Sequence, residues 1–141
     1  MTERKELFKD VKKIVVKIGT SSLTTKDGKF NKEFAKDIAR QVSKLKSEGK
    51  DIILVSSGAI GTGCEALEFK ERPQSIPLKQ ATAAVGQSIL MHEWSQVFEG
   101  YGFKVAQILL TYDAFSDRKT YLNLRNSMSA LLELGVIPVI N

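Results

Sequence analysis

Residues 12–19 read KKIVVKIG, an apolar run rich in β-branched side chains that ends in glycine. A run of this kind, with no regular alternation of polar residues, is typical of a strand buried in a parallel sheet. Three later runs have the same character, at 51–57 (DIILVSS), 104–110 (KVAQILL) and 136–140 (VIPVI). We therefore predict four parallel strands.

Helical patterns separate the four strands. Asn31 is a predicted N-cap, and the amphipathic helix that follows it is closed by Gly49. We predict three further helices, one from the glycine-rich turn at 58–63, one over 78–98 and one over 117–134, with a surface loop at 71–77 and a turn at Asp27-Gly28 that favours a small hairpin. Strands that alternate with helices predict an α/β fold whose parallel sheet is covered on both faces.

Composition limits the class of protein. The 141 residues, 43% hydrophobic and 26% charged, suit one cored domain, with a polar lead-in at 1–11. No apolar run approaches the roughly 18 to 20 residues that span a bilayer, and the N-terminus lacks the apolar core of a secretory signal, so we expect a cytoplasmic protein with no membrane partner. The single cysteine, Cys64, forms no internal disulfide and has no neighbours at metal-ligand spacing.

The net charge of +5 favours anionic ligands. The lysines are scattered along the chain, without an arginine-rich run or interleaved aromatic residues, so we predict no nucleic-acid partner. Neither the Walker A spacing nor G-x-G-x-x-G occurs. Ser57 lacks the G-x-S-x-G context of a hydrolase nucleophile, and His92, the only histidine, falls in the middle of a predicted helix, which disfavours covalent serine catalysis.

Ligands of open parallel sheets bind beyond the carboxyl ends of the strands. Lys17 lies at the end of the first strand, where an ammonium in a doubly covered sheet costs much desolvation energy unless an anion compensates it. We therefore predict that Lys17 contacts a phosphate. The alternative is that Lys17 lies just past the covered region and extends its amine into water.

Two strand ends carry potential anion-binding groups. Gly19, Thr20 and Ser21 supply a tight turn, backbone N–H groups and hydroxyls that suit a phosphate. The second strand ends in Ser56-Ser57-Gly58-Ala59, at the predicted start of a helix, whose dipole favours a carboxylate or phosphate. The alternative is that these serines only cap the helix and that the glycines only permit the turn.

With these residues in place, the chain from Lys12 to Asn141 resembles the amino acid kinase family, and within it the glutamate 5-kinase branch. The similarity is carried by VVKIGTSSL (15–23), VSSGAIGTG (55–63), KQATAAVGQ (79–87), QILLT (107–111), Asp117-Arg118 with Tyr121-Leu122-Asn123, and VIPVIN (136–141). Serine-glycine-alanine after the second strand is typical of this branch, whereas related kinases typically carry a glycine triplet there.

The resemblance implies an αβα sandwich and a phosphotransferase that uses ATP and Mg²⁺ to convert L-glutamate into γ-glutamyl phosphate, the first step of proline biosynthesis. It implies that Lys17 is catalytic and, with Gly19, Thr20 and Ser21, binds ATP phosphates. It assigns Ser57, Gly58, Ala59 and Asn141 to glutamate binding and no residue of this chain to a metal, since Mg²⁺ is expected to arrive with ATP.

A complete domain of this family continues past Asn141, so the resemblance implies that 1–141 is an N-terminal, glutamate-binding part that stops after about four strands. We expect such a part to lack kinase activity, to leave apolar surface bare around the fourth strand, and to form a homo-oligomer or associate with the missing C-terminal half. Two other hypotheses remain open: a family member with a different acceptor, and a non-catalytic binding or assembly module.

Overall fold

The computed structural model describes residues 6–141 and contains one sheet of four parallel strands. The strands are β1 (Lys13–Ile18), β2 (Asp51–Ser56), β3 (Val105–Ile108) and β4 (Ile137–Ile140), in the spatial order β1-β2-β4-β3. The four predicted strands and the α/β class are confirmed. Part of the predicted lead-in at 1–11 lies outside the described residues.

The helices that follow β1 along the chain are α1 (Thr20–Leu23), α2 (Lys32–Ser47), α3 (Ala59–Ala66), α4 (Ile76–Glu99), α5 (Asp113–Ser116) and α6 (Arg118–Glu133). Helix α4 begins two residues earlier than predicted, because Pro77 lies in its first turn. The missing N–H of proline costs nothing there, since the first amides of a helix have no intrahelical acceptor. The short helices α1 and α5 were not predicted.

Side-chain caps fix the starts of two helices. The Asn31 Oδ1 atom accepts a hydrogen bond from the Phe34 amide at 3.1 Å, as predicted for α2. Asp117 caps α6 in the same way, accepting from the Thr120 amide at 2.7 Å. The predicted hairpin at Asp27-Gly28 is present as a single antiparallel bridge between Thr24 and Phe30.

The direction of the chain across the sheet explains the two helical layers. From β1 to β2 and from β2 to β3 the chain moves one way, and from β3 to β4 it turns back and places β4 between β2 and β3. Because parallel crossovers are right-handed, this reversal puts α6 on the face opposite to α2, α3 and α4. The prediction of bare apolar surface around the fourth strand is wrong for β4 itself, since Ile137 and Val139 are buried in the middle of the sheet. Near the strand, however, Leu109 and Leu134 are 61% and 76% exposed.

The main core lies between α4 and the face of the sheet that α2, α3 and α4 cover. Trp94, Phe98 and Leu90 of α4 are fully buried and belong to the same cluster as Ile52 and Leu54 of β2. The Trp94 indole also donates a hydrogen bond to the Ser56 Oγ atom at 3.0 Å, in a buried setting. This bond ties the centre of α4 to the end of β2.

The outer face of β1 is open. Val15 is 60% exposed, and Lys13 and Lys17, which share this face because they alternate with Ile14, Val16 and Ile18, are also exposed. The prediction that helices cover both faces of the whole sheet is therefore wrong at this edge strand. Among the helices of residues 6–141, none is long and apolar enough to cross a membrane.

Candidate functional site

The carboxyl ends of three strands meet at one edge of the sheet. Ile18 of β1 is paired with Ser56 of β2, and Val55 of β2 is paired with Ile140 of β4. The segments that follow these strands line an open cavity of about 290 Å³. This volume is at the lower end of the range for ligand pockets, about 300–1,000 Å³, and suits a small metabolite.

Five residues predicted from sequence line this cavity: Thr20, Ser57, Gly58, Ala59 and Asn141. They come from three separate segments, after β1, after β2 and after β4. Of the two neighbouring serines, Ser57 faces the cavity, whereas Ser56 is buried beneath it, where its hydroxyl accepts from Trp94 and donates to the Ser57 carbonyl. The structure thus separates a serine that faces the cavity from one that is buried beneath it.

The N-terminus of α3 points its free amides at this cavity. Gly58 is the N-cap and has φ of +111°, a left-handed conformation that favours glycine. Within the described chain, the amides of Gly58, Ala59, Ile60 and Gly61 donate to no protein acceptor, while the Thr62 amide donates to the Gly58 carbonyl at 2.9 Å. Free amides at the positive end of a helix dipole attract an anion.

A close helix crossing holds α3 in place. A Cβ atom on Gly63 would lie 2.0 Å from the Thr82 carbonyl oxygen, and one on Gly86 would lie 1.7 Å from the Ala59 carbonyl oxygen. The backbones of α3 and α4 can approach this closely only because both positions are glycine. The first turn of α3, which lines the cavity, therefore rests directly on the backbone of α4.

Asn141 is oriented by a chain of side-chain amides. Its Nδ2 atom donates to the Gln87 Oε1 atom, and the Gln87 Nε2 atom donates to the Gln107 Oε1 atom at 3.1 Å. Because the Nδ2 group of Asn141 is engaged, its Oδ1 atom is the part left to accept from a ligand. Gln87 ends the segment 79–87, which carries part of the resemblance to the family, but its role in holding Asn141 was not predicted.

Three predicted residues do not line the cavity: Lys17, Gly19 and Ser21. The desolvation argument for Lys17 is wrong, because its side chain is exposed on the open face of β1 and is not enclosed in the sheet. Gly19 precedes α1, and the amides of Thr20 and Ser21 donate to no acceptor within residues 6–141. These residues border the cavity along the chain, and their phosphate role stays a prediction.

Arg72 is a cavity residue that sequence reasoning missed. It comes from the loop between α3 and α4, and its Nη2 atom lies 3.9 Å from the position of a Cβ built on Gly61. The next residue, Pro73, is buried and anchors the loop. Arg72 brings a permanent positive charge to the amides of α3. The only available signal was one arginine in a proline-containing loop.

Other pockets and side chains of the described chain provide fewer groups suited to binding a ligand or a metal ion. A groove of about 410 Å³ beside Asp27 and Glu68 adjoins the candidate cavity, since Gly61 and Arg72 line both. Another groove, of about 610 Å³, lies beside Phe8 and Leu45. Residues 6–141 contain no group of three or more His, Cys, Asp or Glu side chains placed to hold a metal ion. His92 is exposed and Cys64 is half-buried.

The sequence that forms this site is similar to that of known proteins. Residues 12–141 match the model of the amino acid kinase family. The chain belongs to the amino acid kinase family. The family match confirms the predicted amino acid kinase fold class. The matched range includes every residue named at the cavity.

Glutamate 5-kinases of several organisms are similar to this chain. That of Methanococcoides burtonii is 60% identical over 141 residues, which are all of this chain and 38% of that protein. That of Methanosarcina mazei is 57% identical over 148 aligned residues, again all of this chain and 38% of the relative. That of Citrifermentans bemidjiense is 47% identical over 138 residues, 98% of this chain and 37% of the relative. The chain thus spans somewhat more than a third of these relatives' length.

Proposed function

We propose that this chain forms the glutamate-binding part of a glutamate 5-kinase, and that the whole protein transfers the γ-phosphoryl group of ATP to the side-chain carboxylate of L-glutamate. The product is γ-glutamyl phosphate, and the reaction is the first step of proline biosynthesis. The observation that carries this proposal is the small, anion-attracting cavity formed by Ser57, Gly58, Ala59 and Asn141 in a chain 60% identical to a glutamate 5-kinase.

The reaction needs positioning and charge stabilisation more than covalent help. One oxygen of the glutamate γ-carboxylate attacks the γ-phosphorus, the bond from that phosphorus to the β,γ-bridging oxygen breaks, and ADP leaves. No general base is needed because the attacking carboxylate is already ionised. Ser57 and the amides of α3 would hold glutamate, and the Oδ1 atom of Asn141 would accept from its ammonium group.

Lys17 would supply positive charge to the transferring phosphoryl group. Its exposure at the penultimate position of β1 leaves the long side chain free to reach past the strand end. Thr20 and Ser21, with Gly19 before them, would give hydroxyls and free amides to ATP phosphates. Fixed positive charge near a transferring phosphoryl group stabilises the transition state.

The donors at the cavity do not fit a resident Mg²⁺ ion, which prefers carboxylate and phosphate oxygens, because they are hydroxyls, amides and cations. We therefore assign no metal ligand to this chain and expect Mg²⁺ to enter with ATP. The cytoplasm, where ATP and glutamate are available, is the proposed location. A homo-oligomer, or association with a further part of the protein, is the proposed assembly.

The test is substrate profiling of the protein made from its complete reading frame, with ATP and Mg²⁺. We expect glutamate-dependent release of ADP and trapping of γ-glutamyl phosphate by hydroxylamine as a hydroxamate. Preference for acetylglutamate or a phosphate monoester would favour a different acceptor. Absence of turnover with any of these, in a folded protein, would favour a binding module.

A further inference from the structure

We propose that Arg72 binds the α-carboxylate of the amino-acid substrate and makes the site selective for acceptors that carry this second carboxylate. The inference rests on the proposed function, since it names a specificity residue for that reaction. None of the comparisons assigns a role to Arg72, and its place at the cavity emerges only from the fold.

The charge of Arg72 is not used by the fold. Within residues 6–141, no carboxylate lies within 4 Å of its guanidinium; the ion pairs of this part of the chain are Lys32–Glu93, Lys36–Glu33 and Arg40–Asp37. The Arg72 carbonyl, in contrast, accepts from the Gln74 side chain at 3.2 Å, which shapes the loop. The backbone of Arg72 is thus fixed while its cation stays available for a ligand.

The guanidinium and the amides of α3 converge on the same space. The Nη2 atom of Arg72, whose side chain is exposed, lies 3.9 Å from a Cβ built on Gly61, in the first turn of α3. Both residues lie where the cavity meets the adjoining groove beside Asp27 and Glu68, and they line both. A carboxylate there could accept from backbone amides on one side and from the planar guanidinium on the other. Charge-assisted bonds of this kind are shorter and about twice as strong as neutral ones.

The chemistry decides which carboxylate Arg72 holds. The γ-carboxylate must present an oxygen lone pair to phosphorus, and a guanidinium that engages both oxygens, beside a helix N-terminus, would stabilise its charge and weaken it as a nucleophile. The α-carboxylate does not react, so the same interactions anchor it without loss of reactivity. Binding energy from a non-reacting group then positions the reacting one.

The experiment compares steady-state kinetics of the complete-reading-frame protein and of the variants Arg72→Gln, Arg72→Lys and Lys70→Gln. Lys70 is the matched control, because it is exposed in the same loop and does not line the cavity. We expect Arg72→Gln to raise KM for glutamate about 10- to 100-fold, with KM for ATP changed less than about twofold, since bonds to charged groups contribute about 1.5–3 kcal/mol. Arg72→Lys should recover part of the loss, and Lys70→Gln should match the wild type.

Selectivity gives the second measurement. The wild type should prefer glutamate over 4-aminobutanoate, which keeps the reacting carboxylate and lacks the other, and Arg72→Gln should narrow that preference in kcat/KM. A KM for glutamate within twofold of wild type in Arg72→Gln, or an equal effect from Lys70→Gln, would overturn the inference while leaving the proposed function standing. A wild type that turns over another acceptor but not glutamate would overturn both. Matching thermal unfolding curves exclude misfolding as the cause.

Discussion

A Cβ atom on Gly86 would lie 1.7 Å from the carbonyl oxygen of Ala59, well inside any permitted contact. Gly86 lies in α4, and Ala59 is the first residue of α3 and part of the cavity. The amides that face the cavity are therefore positioned by a backbone-to-backbone contact, and any side chain at position 86 must push them away.

Gly86→Ala should destabilise the protein by about 1–3 kcal/mol or more, as overpacking does, despite the roughly 1 kcal/mol that alanine gains over glycine in a helix. Gly100→Ala is the control, because its Cβ would come no closer than 4.0 Å to its nearest neighbour, the Val97 carbonyl oxygen. Urea denaturation measures both variants. Equal stability of the two would show that α3 and α4 can separate without cost.

Lys17→Ala should lower kcat by about 10²- to 10³-fold, by analogy with the loss of one electrostatic donor to a transition state. Because the Lys17 side chain is exposed, this substitution should leave the fold unaffected. Lys13→Ala removes the same charge from the same open face of β1, farther from the strand end, and should retain activity. Near-normal turnover in Lys17→Ala would show that Lys17 is a solvent-exposed surface residue without a catalytic role.

Ser57→Ala and Ser56→Ala should have different consequences, although the residues are adjacent. Ser57 lines the cavity, so its loss should raise KM for glutamate far more than KM for ATP. Ser56 accepts from the buried Trp94 indole, so its loss should leave that N–H unsatisfied and cost about 1–3 kcal/mol of stability. Equal changes in the two KM values of Ser57→Ala would mean that the loop serves a different substrate.

The side chain of Asp117 should make the free energy of unfolding decrease at acidic pH. Hydrogen bonds from the Thr120 hydroxyl, at 2.6 Å, and then from the Thr120 amide hold the pKa of Asp117 below its usual 3.8. Because the folded-state pKa is depressed, the ionised carboxylate stabilises the fold at pH values above the unfolded-state pKa, near 3.9. This stabilisation is lost as pH falls through the lower folded-state pKa.

Asp117→Asn keeps a good N-cap but cannot titrate. Its denaturant midpoint should therefore fall less steeply than that of the wild type between pH 5 and pH 2, a range of about three units around the carboxyl pKa. Amide hydrogen exchange in the first turn of α6 would compare the local stability of the two proteins over the same pH range. Parallel pH profiles for the two proteins would show that the cap bonds do not depend on ionisation.

The sequence predicted the elements well because their signals are local. Asn31, Asp117 and Gly49 mark helix ends through bonds or dihedral angles within a few residues, and the four strands were recognisable as apolar runs. The site at the carboxyl edge followed from the parallel fold, which is why Ser57 and Asn141 meet in the cavity. Local patterns were sufficient to predict the elements, and a general rule of topology was sufficient to predict that these residues lie together, whereas their binding of a ligand stays a prediction.

The features that were missed depend on contacts between distant segments. The run KIVVKI does not reveal that the chain covers only one of its faces, so Val15 and Lys17 were expected to be enclosed. The return of β4 to the middle of the sheet depends on the reversal after β3. Arg72 lies in a loop without periodicity, and only the packing of α3 against α4 brings it to the cavity.

Trp94 is the only tryptophan of the chain, and its indole donates to the residue just before Ser57. The fluorophore is fully buried, so its emission depends on that hydrogen bond and on the polarity of the core around the end of β2. A ligand that moves this strand end would change the emission spectrum, whereas one bound elsewhere would leave it constant. The emission of Trp94 should therefore report ligand occupancy in these 141 residues without any added label.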